Sequence, residues 1–548
     1  MRPYAGLGPV VLTGLLAATA RPGAGEHAYV LDSGAKQLVE VDLASGRRVA
    51  SLPLEGSNPA WLDHDGRYVV VFDRGAGEDE GERGWKASGR SSVTIVDTAT
   101  LKAIGRVELG SGLVSGGFVA DGRLGVLCPG YEAKRPTEVQ APELVLVDLA
   151  AAREAGRLRL EHGLRWVGLS GDRRSVALLQ GLPRGGKLPY PRSKLWLVDL
   201  AGPRVRATLD TGPWPSADSD GERLYLLHRG EPDKNPAKSR NGTAHVVSFG
   251  DGRVERLDAG RAPIGWFREE TLVGILAEGP HGGPGELRLL RGGDLVATTP
   301  VAARPALMGR GKDALYVVGS TDVTVVDVAS GQVKGTLPLG GFVDEGDDAT
   351  EIQVTDDGRR AFVLYGPQHE VAVLDLERGK PIGVAKTGRG GKKLLNSLVA
   401  GLGYSMGVIR IPRFDFHEPG RLLARPDGRF AYAINEETKD VTVIDADTAL
   451  PVERIGGEGY FLTLTGGPTV AVFGPAIHLI DAGRNVKAQE IRVPGIRGVV
   501  HSSDCSVVLA DRTVLILDAA TGRERARLTD FTRPTYVEFR EKPPSPAP

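Results

Sequence analysis

The residues best able to do chemistry gather between positions 388 and 419. Gly388-Arg389-Gly390-Gly391-Lys392-Lys393 is a basic, glycine-rich run. An apolar stretch over 394–406 follows it and carries Tyr404, and then come Arg413, Asp415, His417 and Glu418. A phosphate loop needs a glycine, four residues, then Gly-Lys-Ser/Thr opening a helix. Here Lys386 occupies the place of the first glycine and Lys393 the place of the magnesium-binding hydroxyl, so the run reads as a basic loop. His417 beside Asp415 and Glu418 has the groups for proton transfer, although such a run is more often a solvated loop. Arginine and aromatic anchors beside apolar surface are what an interaction hot spot needs. Arg389, Lys392, Lys393, Tyr404, Arg413, Asp415 and His417 are therefore the candidate ligand- or partner-contacting residues. No catalytic or metal-ligating residue is assigned.

Other motifs carry less. Asp63-His64-Asp65-Gly66 and Asp218-Ser219-Asp220-Gly221 begin like calcium loops but lack the later acidic ligands and the closing glutamate. Both fall where a hairpin turn is due, so turn chemistry is the expectation and calcium the alternative; no other cofactor is expected. The ten histidines form no H-x-x-x-H or H-E-x-x-H pair, and no Gly-x-Ser-x-Gly elbow occurs. Cys128 and Cys505 are expected to be buried, and they can pair only if the fold brings their Cα atoms within about 7 Å.

The elements that must position these residues follow from composition and periodicity. Lysine plus arginine number 68 and aspartate plus glutamate 69, so the net charge of −1 argues against a nucleic-acid or polybasic membrane-surface binder. Two cysteines exclude a disulfide scaffold, and 75 glycines spread without a G-X-Y period imply many tight turns. A five-residue apolar run closing on Asp recurs at Asp42, Asp97, Asp148, Asp199, Asp327, Asp375, Asp445, Asp481 and Asp518. Degenerate copies at 245–249 and 287–291 fill the gap between Asp199 and Asp327. Before each run stands a turn such as Asp65-Gly66, Asp121-Gly122, Asp357-Gly358 or Asp427-Gly428, and after it another turn and strand. Such turns between short β-rich runs signal hairpins. The unit is a four-stranded antiparallel meander, and meanders that cannot bury both faces alone stack radially. Each Asp is read as a turn former, because its carboxylate bonds its own backbone two residues on.

At Arg425-Pro426-Asp427-Gly428-Arg429-Phe430-Ala431-Tyr432-Ala433-Ile434-Asn435, continued by Asp440-Val441-Thr442-Val443-Ile444-Asp445, the chain resembles the YVTN β-propeller repeat. Partial copies stand at 314–318 with 323–327 and at 65–71 with 93–97. The resemblance implies an exported propeller and brings no catalytic residue with it. The expected fold is thus all-β, a β-propeller of about eleven four-stranded blades. Residues 28–31 read as a second strand and 534–539 as a first strand, so pairing of the chain ends is expected to close the structure. Eleven exceed the usual four to eight blades of one ring. Two rings are expected, with one large ring the alternative and the 386–420 stretch as the inter-ring crossing or an insertion.

The expected layout is a signal peptide over 1–20, eight blades over 26–385, that stretch, three blades with the closing strand over 421–541, and a disordered tail over 542–548. Arg2, the apolar run 7–16 and the small residues Ala18-Thr19-Ala20 support export, hence a periplasmic or secreted protein with no transmembrane span in its mature chain. Long second-to-third-strand loops at 74–90, 129–142, 181–193 and 229–242 share one face with 388–419, and insertions gathered on one face mark a binding face. The expected function is non-catalytic binding of a protein, glycan or cell-envelope component through that face. The alternative is an enzyme, resembling propeller lactonases or quinoprotein dehydrogenases, with its site in a central channel.

Overall fold

Short runs such as Tyr68–Asp73 and Leu272–Ala277 are buried at every position, which requires cover on both faces of the strand. Strands such as Arg47–Pro53 alternate exposed and half-buried residues instead, as an outer strand must. The computed structural model assembles these into eleven four-stranded antiparallel sheets among the described residues. It describes residues 24–541 except 57, 80–84, 88, 112–114, 129–141, 162–163, 181–192, 213–215, 229–240, 262, 270–271, 280–282, 340–348, 366–369, 388–421, 426, 436–437, 458, 460, 465–468 and 503.

Blade 1 holds Pro534–Glu541, Ala24–Asp32, Gln37–Asp42 and Arg47–Pro53 in that spatial order. The last strand of the chain is therefore its first strand, with Val30 opposite Val537 and Leu31 opposite Tyr536. This is the closure by chain ends that the sequence predicts. Blades 2 to 11 follow in chain order, blade 2 beginning at Pro59–His64 and blade 11 ending at Glu524–Leu528. The degenerate copies are blades 5 and 6, and one of them is shifted by a residue. Blade 5's third strand is Thr243–Ser248, so Ser248, not Phe249, stands at the closing position. In blade 6 the third strand Pro284–Arg291 turns through Gly292 and Gly293, both at positive φ, a two-glycine hairpin that needs no aspartate.

The chain divides into two compact units. One comprises Met1–His228, Ala244–Leu257 and Pro494–Pro548, and the other Arg229–Thr243 and Asp258–Val493. The first unit carries blades 1 to 5 and 11, the second blades 6 to 10. Blades 8 and 9, which flank the 386–420 stretch, both belong to the second.

The core lies between blades rather than within them. In the first unit Val30 and Val39 pack on Val507 and Ile516 of blade 11, and Leu31 and Leu38 on Leu62 and Val69 of blade 2. In the second unit Val363 and Tyr365 of blade 8 pack on Tyr316 and Val318 of blade 7, and Phe362 and Val373 face Ala431 and Ala433 of blade 9. Within each unit, neighbouring blades thus bury their faces against one another, the stacking that defines a β-propeller. Outer strands are kept from pairing further by a bulge at one recurring place, as between Glu40/Val41, Ile95/Val96, Val373/Leu374 and Ile516/Leu517.

Candidate functional site

An antiparallel meander sends its first-to-second and third-to-fourth connections to one edge of each blade. The second-to-third and inter-blade connections leave from the other edge. The first edge is fixed by turn chemistry. All nine repeat aspartates accept a backbone N–H from two or three residues on: Ser45 onto Asp42 at 2.6 Å, Thr100 onto Asp97 at 2.9 Å, Ala151 onto Asp148 at 2.8 Å and Ala201 onto Asp199 at 3.0 Å. Ser330 onto Asp327, Gly483 onto Asp481 and Thr521 onto Asp518 all measure 2.8 Å, and Arg378 onto Asp375 and Thr448 onto Asp445 both 2.9 Å. These bonds favour the ionised form. The Thr100 hydroxyl holds Asp97 below its ordinary range, Lys334 does so strongly for Asp327, and Arg525 takes Asp518 down to about 2. The carboxylates are thus committed to the turns, as the repeat pattern predicts.

The two calcium-like runs are turns as well. Asp65 Oδ1 accepts the amides of Arg67 and Tyr68 at 3.0 and 2.8 Å, and Asp220 Oδ1 accepts those of Glu222 and Arg223 at 2.9 and 2.7 Å. Gly66 and Gly221 take the positive φ that such turns demand. Asp63 and Asp218 each bond the amide of the next residue, both at 2.8 Å. Cys128 and Cys505 are both free and buried. They belong to separate inter-blade cores, so they do not pair. Burial pushes the Cys128 thiol to about 12 and raises that of Cys505, which keeps both as thiols.

The second edge carries the long connections. Of the four predicted long loops, 74–90 is described in part. A short ribbon pairs Gly77–Asp79 with Trp85–Ala87 as a continuation beyond blade 2. Most of the other three lies outside the described residues, as do all seven candidate residues, Arg389, Lys392, Lys393, Tyr404, Arg413, Asp415 and His417. The described structure shows how the chain is held on either side of them. Thr387 is fully buried after blade 8's outer strand, and its carbonyl accepts from Asn435 Nδ2 at 2.7 Å and Thr442 Oγ1 at 3.0 Å. At the far side Leu422 is buried and donates its amide to Glu351 Oε2 at 3.0 Å. The chain on either side of 388–421 is therefore anchored on blades 9 and 8 by hydrogen bonds, buried at Thr387 and half-buried at Leu422.

Asn435 belongs to a recurring device that the sequence pattern misses. At the same end of the second strand, Asp73 Oδ2 accepts the amide of Asn58 at 3.0 Å, on the connection entering blade 2. Asp32 accepts the amides of Thr532 and Arg533 at 2.9 and 2.7 Å. Asp32 and Asp73 pin the chain entering blades 1 and 2, and Asn435 the chain leaving blade 8; the sequence signal is a buried polar residue closing an apolar run.

No family model matches this chain, and no curated protein does. Among solved structures it is similar to dihydro-heme d1 dehydrogenase NirN in complex with DHE, at 16% identity over 72% of each chain and a TM-score of 0.32. Apo AztD from Citrobacter koseri is 9% identical over 93% of this chain and 96% of its own, with a TM-score of 0.34. A eukaryotic initiation factor is 11% identical over 84% and 100%, with a TM-score of 0.41. All three scores lie below 0.5, so the β-propeller architecture rests on the chain's own sheet topology.

Proposed function

We propose that this protein is an exported propeller that binds a protein, glycan or cell-envelope component through the edge bearing its long connections. The observation that carries the reading is the contrast between the two edges. One is consumed by short turns whose carboxylates are hydrogen-bonded to their own backbone. In each blade the other edge bears the second-to-third and inter-blade connections, among them 129–141, 181–192, 229–240 and 388–421, the last entered and left at the buried, hydrogen-bonded residues Thr387 and Leu422. Long connections on a rigid repeat are where binding residues concentrate, and the basic and aromatic content of 388–421 suits an interaction surface. Kinship with the YVTN repeat is part of this proposal. It is supported by the turn before Phe430, where Gly428 takes positive φ and Asp427 Oδ1 accepts the Arg429 amide at 3.1 Å.

The test replaces 390–419 with a short Gly-Ser linker and leaves Thr387 and Leu422 in place. Because shortening a loop changes closure entropy by only about 1 kcal/mol, the blades should keep their melting midpoint. Co-sedimentation with isolated cell-envelope material, titrated to saturation, should then fall at least about tenfold in affinity, a change of about 1.4 kcal/mol. Equal affinity in a folded variant refutes the assignment of binding to this segment.

A further inference from the structure

Three residues before the closing position of the third strand in blades 7, 9 and 10, the side chain meets the place where the preceding blade's outer strand ends. In blade 7, Thr324 Oγ1 accepts the amide of Ala302 of blade 6 at 2.8 Å. In blade 9, Thr442 Oγ1 donates to Thr387 O at 3.0 Å. Histidines hold this position in blades 5 and 10. His478 packs its ring against Gly457, just after blade 9's outer strand, so closely that a Cβ there would lie 2.6 Å from Cδ2. His245 is its counterpart in the first unit.

The two imidazoles differ in their charged neighbours. His478 Nδ1 lies 3.7 Å from Glu490 Oε2 on its own outer strand, with Lys487 beyond. Burial and then Lys487 lower His478 as well, but a proton gained there also meets the Glu490 carboxylate, which opposes them. Like His478, His245 is buried and its Nδ1 has no hydrogen-bond partner. Strand alternation puts it on the face of Val247, which packs with Leu195 and Leu197 of blade 4. The same alternation carries His228, from the neighbouring second strand, onto that face with Leu224 and Leu226. The charged groups acting on His245 are His228 and Arg256 of the outer strand, both cationic when protonated, and blade 4 offers no described charge to oppose them.

We propose that His245 and His228 form an acid-opened seam between blades 4 and 5, at the edge where the long connections leave. At neutral pH the buried imidazole is neutral and the junction is closed. Burial first, then the two cationic neighbours, push His245 down to about 4. A basic group lowered on folding contributes full stability above its ordinary value of 6.5 and loses it as pH falls toward 4. His478, in the same position, is also lowered by burial and by Lys487, but Glu490 opposes the shift, so blade 10 provides the comparison in which the acid effect is weaker.

Hydrogen exchange of the full chain, corrected for intrinsic rates, tests this at about pH 7.5 and about pH 4.5. Peptides covering Arg204–Gly212 and Thr243–Ser248 should open at least about tenfold more often at the lower pH, while Ala476–Asp481, where Glu490 opposes the shift, should change less. His245→Thr, which adopts the side chain used in blades 7 and 9, should abolish the acid effect. His228→Gln should reduce it, and it serves alone if the first variant does not fold. Retention of the full acid effect in a folded His245→Thr protein, no reduction in His228→Gln, or equal opening at Ala476–Asp481 overturns the proposal.

Discussion

Replacing Gly46 by alanine probes how consecutive blades fit together. The fourth residue after a repeat aspartate adopts left-handed backbone: Gly46 has φ of 62°, Gly331 of 70° and Gly522 of 67°. That residue also meets the outer strand of the preceding blade. A Cβ on Gly46 would overlap the Cβ of Ala526 in blade 11, and one on Gly331 that of Ala297 in blade 6. Gly46→Ala therefore suffers twice. Left-handed backbone costs an alanine about 1–2 kcal/mol, and forcing a methyl into a packed contact adds about 1–3 kcal/mol. The sum, about 2–5 kcal/mol, is read from chemical denaturation. Gly66→Ala isolates the backbone part, because Gly66 has φ of 91° and nothing within 4 Å of its added Cβ. The double variant Gly46→Ala/Ala526→Gly should recover the contact part and leave the backbone part. The reasoning is refuted if Gly46→Ala loses no more than Gly66→Ala, or if removing the Ala526 methyl restores nothing.

Other perturbations test separate parts of the structure. Asp32→Ala strips a carboxylate acceptor from the Thr532 and Arg533 amides and should lower stability by about 1.5–3 kcal/mol, the worth of hydrogen bonding to a charged group, measured by denaturant midpoint. Deleting 535–539 removes the strand that closes blade 1 and should cause aggregation in size-exclusion chromatography, whereas trimming 542–548 should leave the elution unchanged. Asp518 is held at about 2, below its ordinary 3.8, by Arg525 and Thr521. The stability it contributes is present above pH 3.8 and fades as pH falls toward 2, so Asp518→Asn should flatten the acid limb of the melting curve there. Cys128 and Cys505 should resist a thiol reagent in the native protein and both react once it is unfolded, with the same intact mass before and after reduction.

The fold was legible because one residue type does one job at a fixed place. Each Asp closing a third strand is visible as the end of an apolar run, and the structure confirms the turn that this implies. Blade 5 was harder to register, because Ser248 accepts the amide of Asp251 at 3.5 Å where another blade would use an aspartate. Phe249, one residue later, continues the apolar pattern and draws the alignment off by one. Asp32 was not legible as a clamp. Asp32-Ser33-Gly34 looks like any turn, and its partners Thr532 and Arg533 lie 500 and 501 residues away. Left-handed positions were partly hidden too, since Leu101, Ala152 and Ala449 occupy them without being glycine. The 388–421 segment obeys no repeat rule. Composition could nominate Arg389, Tyr404 and His417, but only the buried anchors at Thr387 and Leu422 show how the frame holds the two ends.

The claim that recognition belongs to the long-connection edge, on a frame whose opposite edge is consumed by its own turns, is tested most directly by a hydrogen-exchange footprint. The full-length protein is compared alone and with solubilised cell-envelope glycan added to saturation. Saturable protection in peptides from 129–141, 181–192 and 388–421, with unchanged exchange at 43–46, 328–331 and 519–522, is the predicted result. Protection confined to those turns, with the long connections unaffected, would contradict the account.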